Sequence, residues 1–373
     1  MARKKICIFT SIEGHLSIAQ SIEQTLEKEF EVFTYCERDN LYNFYLPIYQ
    51  FFPGAFKHPF KISQKEKIVE MAKKYLKSQY RKKITRFFDL HQPDLCITTY
   101  YMYNPILEEL CAKHHVPFIN LLADPRTIHP ISFSETADVN VVFDQKSIDF
   151  CKQFYPHAHY KNIGWMTKDQ FYLPFDVDLV REQLHLKKDV LTLLLVSGSE
   201  GTNTITTILP SVIRSKKPLQ LIIACGSNKL LYKSAKAFEV FLKRTKSKHK
   251  IIPLGYTNHL HEYMQAADLI IGKAGPNTLF EAVATQVPFF ATMHIAGQED
   301  GNLDIIRDYK LGFVEENPFR AARELKRIIT QSTKLAEFKP SLKALAEYNK
   351  AAKNEFLQLA KKYLYADHSD AHT

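Results

Sequence analysis

The residues best suited to chemistry lie between Gly272 and Asn302, in the run GKAGPNTLFEAVATQVPFFATMHIAGQEDGN. An apolar stretch ending at Ile271 meets Gly272-Lys273-Ala274-Gly275-Pro276, and a helix is expected behind it with Asn277 and Thr278 as caps. Glycines let a ligand approach the backbone closely, and the N–H groups of a helix start attract an anion such as a diphosphate. One turn on, Glu281 shares a helix face with Asn277 and Thr278, where its carboxylate can accept hydrogen bonds from two ribose hydroxyls. Taken alone, this strand-loop-helix is explained better by a glycine loop and a capping box joining Asn277 or Thr278 to Glu281. The next strand shifts the balance. It runs from Val287-Pro288-Phe289 into a glycine-flanked loop with Gln298, Glu299 and Asn302, more hydrogen-bonding groups than a connector needs and suited to reading sugar hydroxyls.

Near the amino end, Thr10-Ser11-Ile12-Glu13-Gly14-His15 follows the first apolar run. His15 there can take a proton from an acceptor hydroxyl, although a capping or surface histidine fits the position equally. Asp124 is a second candidate base, or the partner that orients His15. Its alternative is a turn at Asp124-Pro125.

Elements of two kinds must position these groups. Short apolar runs alternate with longer amphipathic ones in both halves, the pattern of βα repeats and parallel sheets. Strands are expected at 5–10, 31–35, 95–99, 117–122 and 139–143, then at 190–197, 219–225, 250–254, 269–272 and 288–291. Helices are expected at 17–28, 65–89, 104–114 and 145–154, then at 204–215, 231–243, 259–266, 277–285 and 299–308. The fold class is therefore α/β, with two Rossmann-like doubly wound domains facing a central cleft, since ligands of such sheets bind beyond the carboxyl ends of the strands. The expected divisions are a domain at 1–163, a hinge at 164–188, a domain at 189–329, C-terminal helices at 330–365 that pack back across the hinge, and a frayed tail at 366–373.

Composition narrows the classes. A chain of 373 residues, 45% hydrophobic, exceeds the size at which a single core usually stops growing and favours two lobes. A formal charge of +10 suits anionic partners: nucleic acid, lipid headgroups or a diphosphate. Nucleic acid is disfavoured, because no helix-turn-helix, zinc or ribonucleoprotein signature accompanies the charge. The six cysteines are scattered without a CxxC pair and read as reduced core residues, with no metal site. The start MARKKICIFT reads as a first strand rather than a signal peptide, and no apolar run approaches the length of a membrane span.

The stretch from Ala267-Asp268 through Gly272-Lys273-Ala274-Gly275-Pro276-Asn277-Thr278, Glu281-Ala282 and Pro288 to Ala296-Gly297-Gln298-Glu299-Asp300-Gly301-Asn302 resembles the donor-binding signature of monogalactosyldiacylglycerol synthases and processive diacylglycerol glucosyltransferases. It is similar, more distantly, to the N-acetylglucosaminyltransferase that completes the lipid-linked peptidoglycan precursor. Gly255-Tyr256-Thr257-Asn258, Ser197-Gly198-Ser199-Glu200-Gly201 and Ala224-Cys225-Gly226-Ser227-Asn228 also resemble this family, as does Asp124 followed by His129-Pro130 with altered spacing. The resemblance implies a GT-B fold and an inverting, metal-independent transfer from a UDP-sugar, with no cofactor. It implies that the backbone near Gly255 and Tyr256 holds uracil, Glu281 the ribose, Ser197, Gly198, Ser199 and Glu200 together with Gly275, Asn277 and Thr278 the diphosphate, and Gln298, Glu299 and Asn302 the sugar. Gly226 joins the donor site and His15 matches the family's base, in a loop that keeps one glycine where the family has several.

A lipid acceptor is consistent with LYNFYLPIYQFFPGAFKHPFKI, in which Phe44, Tyr45, Phe51, Phe52 and Phe56 precede a basic helix at 65–83. Aromatics suit a bilayer interface and a polybasic face suits anionic lipid, which would place the protein in the cytoplasm, peripherally on the inner face of the membrane. The alternative is an aromatic loop packed on its own domain. Other functions remain open: a UDP-N-acetylglucosamine transferase acting on a polyprenyl-linked saccharide, a UDP-sugar 2-epimerase, or a catalytically silent UDP-sugar-binding protein.

Overall fold

The computed structural model describes residues 3–12, 14–38, 57–174, 176–196 and 202–365. The chain divides into two compact units. The first takes in the described residues up to Lys168 and those from Tyr348 onward, and the second is Asp169–Glu347.

In the first unit, strands β1 (Lys5–Ser11), β2 (Glu31–Glu37), β3 (Leu95–Thr98), β4 (Phe118–Leu121), β5 (Val139–Val142) and β6 (Tyr160–Asn162) form a parallel sheet in the order β2-β1-β3-β4-β5-β6. Helices α1 (Gly14–Leu26), α2 (Lys57–Ser63), α3 (Glu66–His91), α4 (Asn104–His114) and α5 (Gln145–Cys151) belong to it. Strands β1 and β3 sit mid-sheet and bury Ile6, Cys7, Ile8, Phe9, Cys96 and Ile97 completely, which is why they read as unbroken apolar runs rather than alternating ones. Cys36 departs from the expected core placement: it is exposed, because β2 is the sheet's edge.

In the second unit, β7 (Thr192–Val196), β8 (Gln220–Ala224), β9 (Lys250–Leu254), β10 (Leu269–Lys273), β11 (Phe289–Met293) and β12 (Gly312–Val314) form a parallel sheet ordered β12-β11-β10-β7-β8-β9. Its helices are α6 (Val177–Gln183), α7 (Thr202–Ile213), α8 (Lys229–Arg244), α9 (Leu260–Ala266), α10 (Pro276–Ala284), α11 (Asp300–Asp308) and α12 (Pro318–Thr330). Leu193, Leu195, Leu221, Ile271 and Phe290 form one buried cluster with Ile208 of α7 and Leu325 of α12.

Strands β6 and β12 were not expected from the pattern. Each is three residues long and lies at the outer end of its sheet, too short to show a period. Gly312 marks the second of them, with φ +151° and an added Cβ placed 2.0 Å from the Phe289 carbonyl oxygen, so only glycine allows this close pairing. The last helix, α13 (Lys339–Tyr365), contributes its residues from Tyr348 to the first unit. There the Trp165 N–H donates to Asn349 Oδ1 at 3.0 Å and the Tyr363 hydroxyl donates to the Asp138 carbonyl at 3.0 Å. Gly164, at φ +90°, admits this helix, since a Cβ there would stand 2.9 Å from Asn349 Oδ1.

Candidate functional site

Each sheet reverses its strand order once, between β1 and β3 in the first unit and between β7 and β10 in the second. Beyond the carboxyl ends of strands at such a point the flanking loops diverge and leave a crevice. The second unit sets its candidate residues along that edge: Gln298 after β11, Gly275, Asn277 and Thr278 after β10, Gly226 after β8 and Tyr256 after β9. Gly226 has φ +55° with nothing within 4 Å of an added Cβ, and Tyr256 is 77% exposed, so both loops stand open. Ser197, Gly198, Ser199 and Glu200 fall outside the described residues.

At the β10 end the expected capping is corrected. The N-cap of α10 is Gly275, Pro276 takes the first helical position, and Asn277 and Thr278 lie inside the first turn with no side chain capping it. Proline at this position needs no acceptor, and its fixed φ suits a helix start. The N–H groups of Asn277 and Thr278 consequently meet no side-chain cap, and both residues are half-buried. Glu281, also half-buried, is a turn further along the helix.

The neighbouring loop is tied to this turn from below. Lys273 Nζ is 2.8 Å from Glu299 Oε1, and the Ile295 N–H donates to Glu299 Oε2 at 2.7 Å. The Asn302 amide donates to the Ala274 carbonyl at 2.8 Å. Glu299 is 5% exposed and Asn302 2%, so both serve the loop's construction, while Gln298 is half-buried. Lys273 is a residue of this turn to which motif reading gave no role. Its signals were its place in the glycine-rich loop and a charge at the carboxyl end of a buried strand, where an apolar residue would be ordinary. His294 braces the far side of the loop, 2.8 Å from Asp300 Oδ1 and 2.5 Å from Glu316 Oε1. Burial pulls its pKa down, but the hydrogen bonds and charges of Glu316 and Asp300 outweigh that and raise it.

In the first unit His15 lies in the opening turn of α1, beside the reversal point. Its Nδ1 is 2.6 Å from the Thr99 carbonyl oxygen, which can only accept, so Nδ1 carries the proton and Nε2 the lone pair. The Tyr100 ring stands edge-on at 4.8 Å. Burial pushes the His15 pKa down to about 4, against a small upward pull from the Thr99 bond. Thr99 on the intervening chain, not Asp124, thus orients this ring through Nδ1. Asp124 is half-buried in the bend after β4, and β3 separates β4 from β1, so the two strand ends are about 10 Å apart.

The bend bearing Asp124 is anchored by a buried ion pair. Arg126 Nε and one terminal nitrogen approach Asp144 Oδ2 at 3.0 and 2.6 Å, while Asp144 Oδ1 accepts from the Ser147 N–H at 2.9 Å and caps α5. His129 accepts from the Ile131 N–H on Nδ1 and therefore donates from Nε2 to Ser63 Oγ at 2.9 Å, with its pKa lowered by burial to about 4.

Phe44, Tyr45, Phe51, Phe52 and Phe56 lie outside the described residues. The basic helix that follows them in sequence is described: Lys67, Met71, Lys74, Tyr75, Lys82 and Arg86 form an exposed face of α3, with Met71 62% and Tyr75 51% exposed. Among the described residues no helix is long and apolar enough to cross a membrane.

Comparison with known proteins bears on the family and the fold. Residues 192–292 match the glycosyltransferase family 28 C-terminal domain. The chain is 24% identical over 358 residues to the processive diacylglycerol beta-glucosyltransferase of Staphylococcus saprophyticus, covering 91% of this chain and 88% of that one. It is 28% identical over 292 residues to the probable monogalactosyldiacylglycerol synthase 3, chloroplastic, of Oryza sativa subsp. japonica, covering 70% of this chain and 55% of that one. The crystal structure of Anabaena HepE in complex with UDP and glucose matches at 15% identity with a TM-score of 0.57, over 96% of this chain and 99% of that one. The two parallel six-stranded sheets are those of a GT-B fold.

Proposed function

We propose a donor, an acceptor and a chemistry from the premise that this chain belongs to the GT-B glycosyltransferases with a family 28 C-terminal domain, the group of the processive diacylglycerol glucosyltransferases and monogalactosyldiacylglycerol synthases. The reaction is transfer of a hexose from a UDP-sugar to a membrane lipid such as diacylglycerol or a glycolipid, with inversion at the anomeric carbon. The observation that carries the donor half is the opening turn of α10, uncapped by any side chain and flanked by Lys273, at the reversal point of its sheet. Backbone N–H groups, a helix dipole and an ammonium converge where a diphosphate leaving group would gain charge. Those groups supply the counter-charge that a divalent metal would otherwise bring, so transfer proceeds without one. Glu281 holds the ribose hydroxyls, Tyr256 borders the uracil and Gln298 reads the sugar. His15 Nε2 accepts the proton of the attacking hydroxyl.

Calorimetric titration with UDP, UDP-glucose, UDP-galactose and UDP-N-acetylglucosamine, followed by UDP release on diacylglycerol liposomes in EDTA, tests this reading. Binding of one UDP-hexose with lipid-dependent release in EDTA is expected. Glu281→Ala should weaken UDP at least about tenfold, the cost of losing charge-assisted hydrogen bonds to ribose. No UDP binding would overturn the donor, and release that needs added magnesium would overturn the metal-free chemistry.

The acceptor reading places the protein at the inner face of the membrane, held in part by the exposed cationic face of α3. Lys82→Ala with Arg86→Ala should lower partitioning onto phosphatidylglycerol vesicles roughly thirtyfold at low salt, taking about 1 kcal/mol per cation. Equal cosedimentation of variant and wild type would remove α3 from the docking surface.

A further inference from the structure

Glu299 was expected to read sugar hydroxyls, and its environment argues for a different task. The carboxylate is 5% exposed, and each oxygen already has a partner, Lys273 Nζ at 2.8 Å and the Ile295 N–H at 2.7 Å. A sugar hydroxyl would have to reach a carboxylate that is almost closed to solvent and is already held on both oxygens. Within the pair, exposure is uneven: the Lys273 side chain is 23% exposed against 7% for Glu299, so the cation is the member that faces outward. It faces the opening turn of α10, since a Cβ added at Gly275, the N-cap, would lie 3.9 Å from Lys273 Nζ and 3.6 Å from Glu299 Oε1. Gly275 thus keeps open the space between the ion pair and the first helical N–H groups. An ammonium carries three N–H donors, so Lys273 can serve Glu299 and other acceptors together.

We infer that Glu299 is a positioning residue whose carboxylate holds the Lys273 ammonium beside the α10 N-terminus, where Lys273 meets the diphosphate of the donor, and that Glu299 itself does not touch the transferred sugar. The inference rests on the donor reading above and sharpens it. A flexible lysine loses rotamer freedom when it binds a phosphate, and a buried carboxylate that fixes it beforehand removes that cost from ligand binding. The arrangement also explains why the carboxylate is anchored twice: the bond from Ile295 fixes the anion, and the anion fixes the cation.

Three ligands separate the possibilities, because uridine lacks the phosphates and UDP lacks the sugar. Dissociation constants of uridine, UDP and UDP-glucose would be measured by calorimetry for wild type, Glu299→Gln, Lys273→Met and the double variant. Glu299→Gln and Lys273→Met should each weaken UDP and UDP-glucose by the same factor, about tenfold, and leave uridine unchanged. The double variant should bind no worse than Lys273→Met, since the two residues act as one unit, and Lys273→Arg should retain most of the UDP affinity. A loss confined to UDP-glucose in Glu299→Gln would overturn the inference in favour of direct sugar reading. A loss that extends to uridine would overturn it in favour of a purely structural tie, as would additive effects in the double variant. Wild-type protein that binds no UDP would instead overturn the donor reading, and this inference with it.

Discussion

Replacing His15 by alanine is expected to cut turnover by about 10²–10⁴-fold, the usual contribution of a positioned general base, while UDP affinity stays within about twofold. The selectivity follows from placement. His15 belongs to the first unit's β1 edge, whereas the donor candidates belong to the second unit. Its Nδ1–H is committed to the Thr99 carbonyl, which leaves Nε2 as the accepting atom in one fixed orientation. With a pKa near 4 the ring is neutral throughout the physiological range, so the base limb of kcat/KM should be flat above about pH 5. A base limb near pH 6.5, or near-normal turnover by His15→Ala with collapse in Asp124→Asn, would move the role to another residue.

The same histidine predicts a stability effect whose sign is fixed by linkage. The folded-state pKa values of His15 and His129 lie below the ordinary 6.5, so the unfolded chain binds more protons between about pH 4 and 6.5. Stability from these groups is complete above pH 6.5 and is lost as pH falls through that window.

The second large effect is expected at Arg126. Its side chain is 9% exposed and faces Asp144 at 7%, so Arg126→Ala would strand a buried carboxylate and cost about 3–5 kcal/mol. Asp144 would keep its bonds from Ser147, which favours the lower end of that range. Chemical denaturation should show a lower midpoint at unchanged slope. Arg126→Met combined with Asp144→Asn should recover most of the loss, because asparagine still caps α5 and no charge remains buried. Because Arg126 anchors the bend bearing Asp124, a folded Arg126→Ala protein with normal turnover would further weaken any catalytic role for Asp124. A midpoint equal to wild type would show that the pair contributes nothing net.

What the sequence by itself determined was local and periodic. The apolar runs of β1, β3, β7 and β10 announced two parallel sheets, and Gly272-Lys273-Ala274-Gly275-Pro276 announced a loop opening a helix, because such signals are carried by consecutive residues. The run from Gly272 to Asn302 also marked the candidate donor region, since its polar groups cluster within one β-loop-α-β-loop segment. The structure decided what those groups touch. Whether Glu299 faces solvent or Lys273 depends on β10 and β11 lying side by side, which brings together residues 26 positions apart. The partner of His15 is 84 positions away, just past the end of a strand that pairs with β1, and no spacing rule within the sequence connects them. Capping was misjudged for the same kind of reason: Asn277 and Thr278 are good caps in isolation, but Pro276 starts the helix one residue earlier and leaves that role to Gly275. Residue types and short spacings define which groups are available for chemistry, and strand order decides which of them meet, because hydrogen bonds and ion pairs act over a few ångströms of space rather than along the chain.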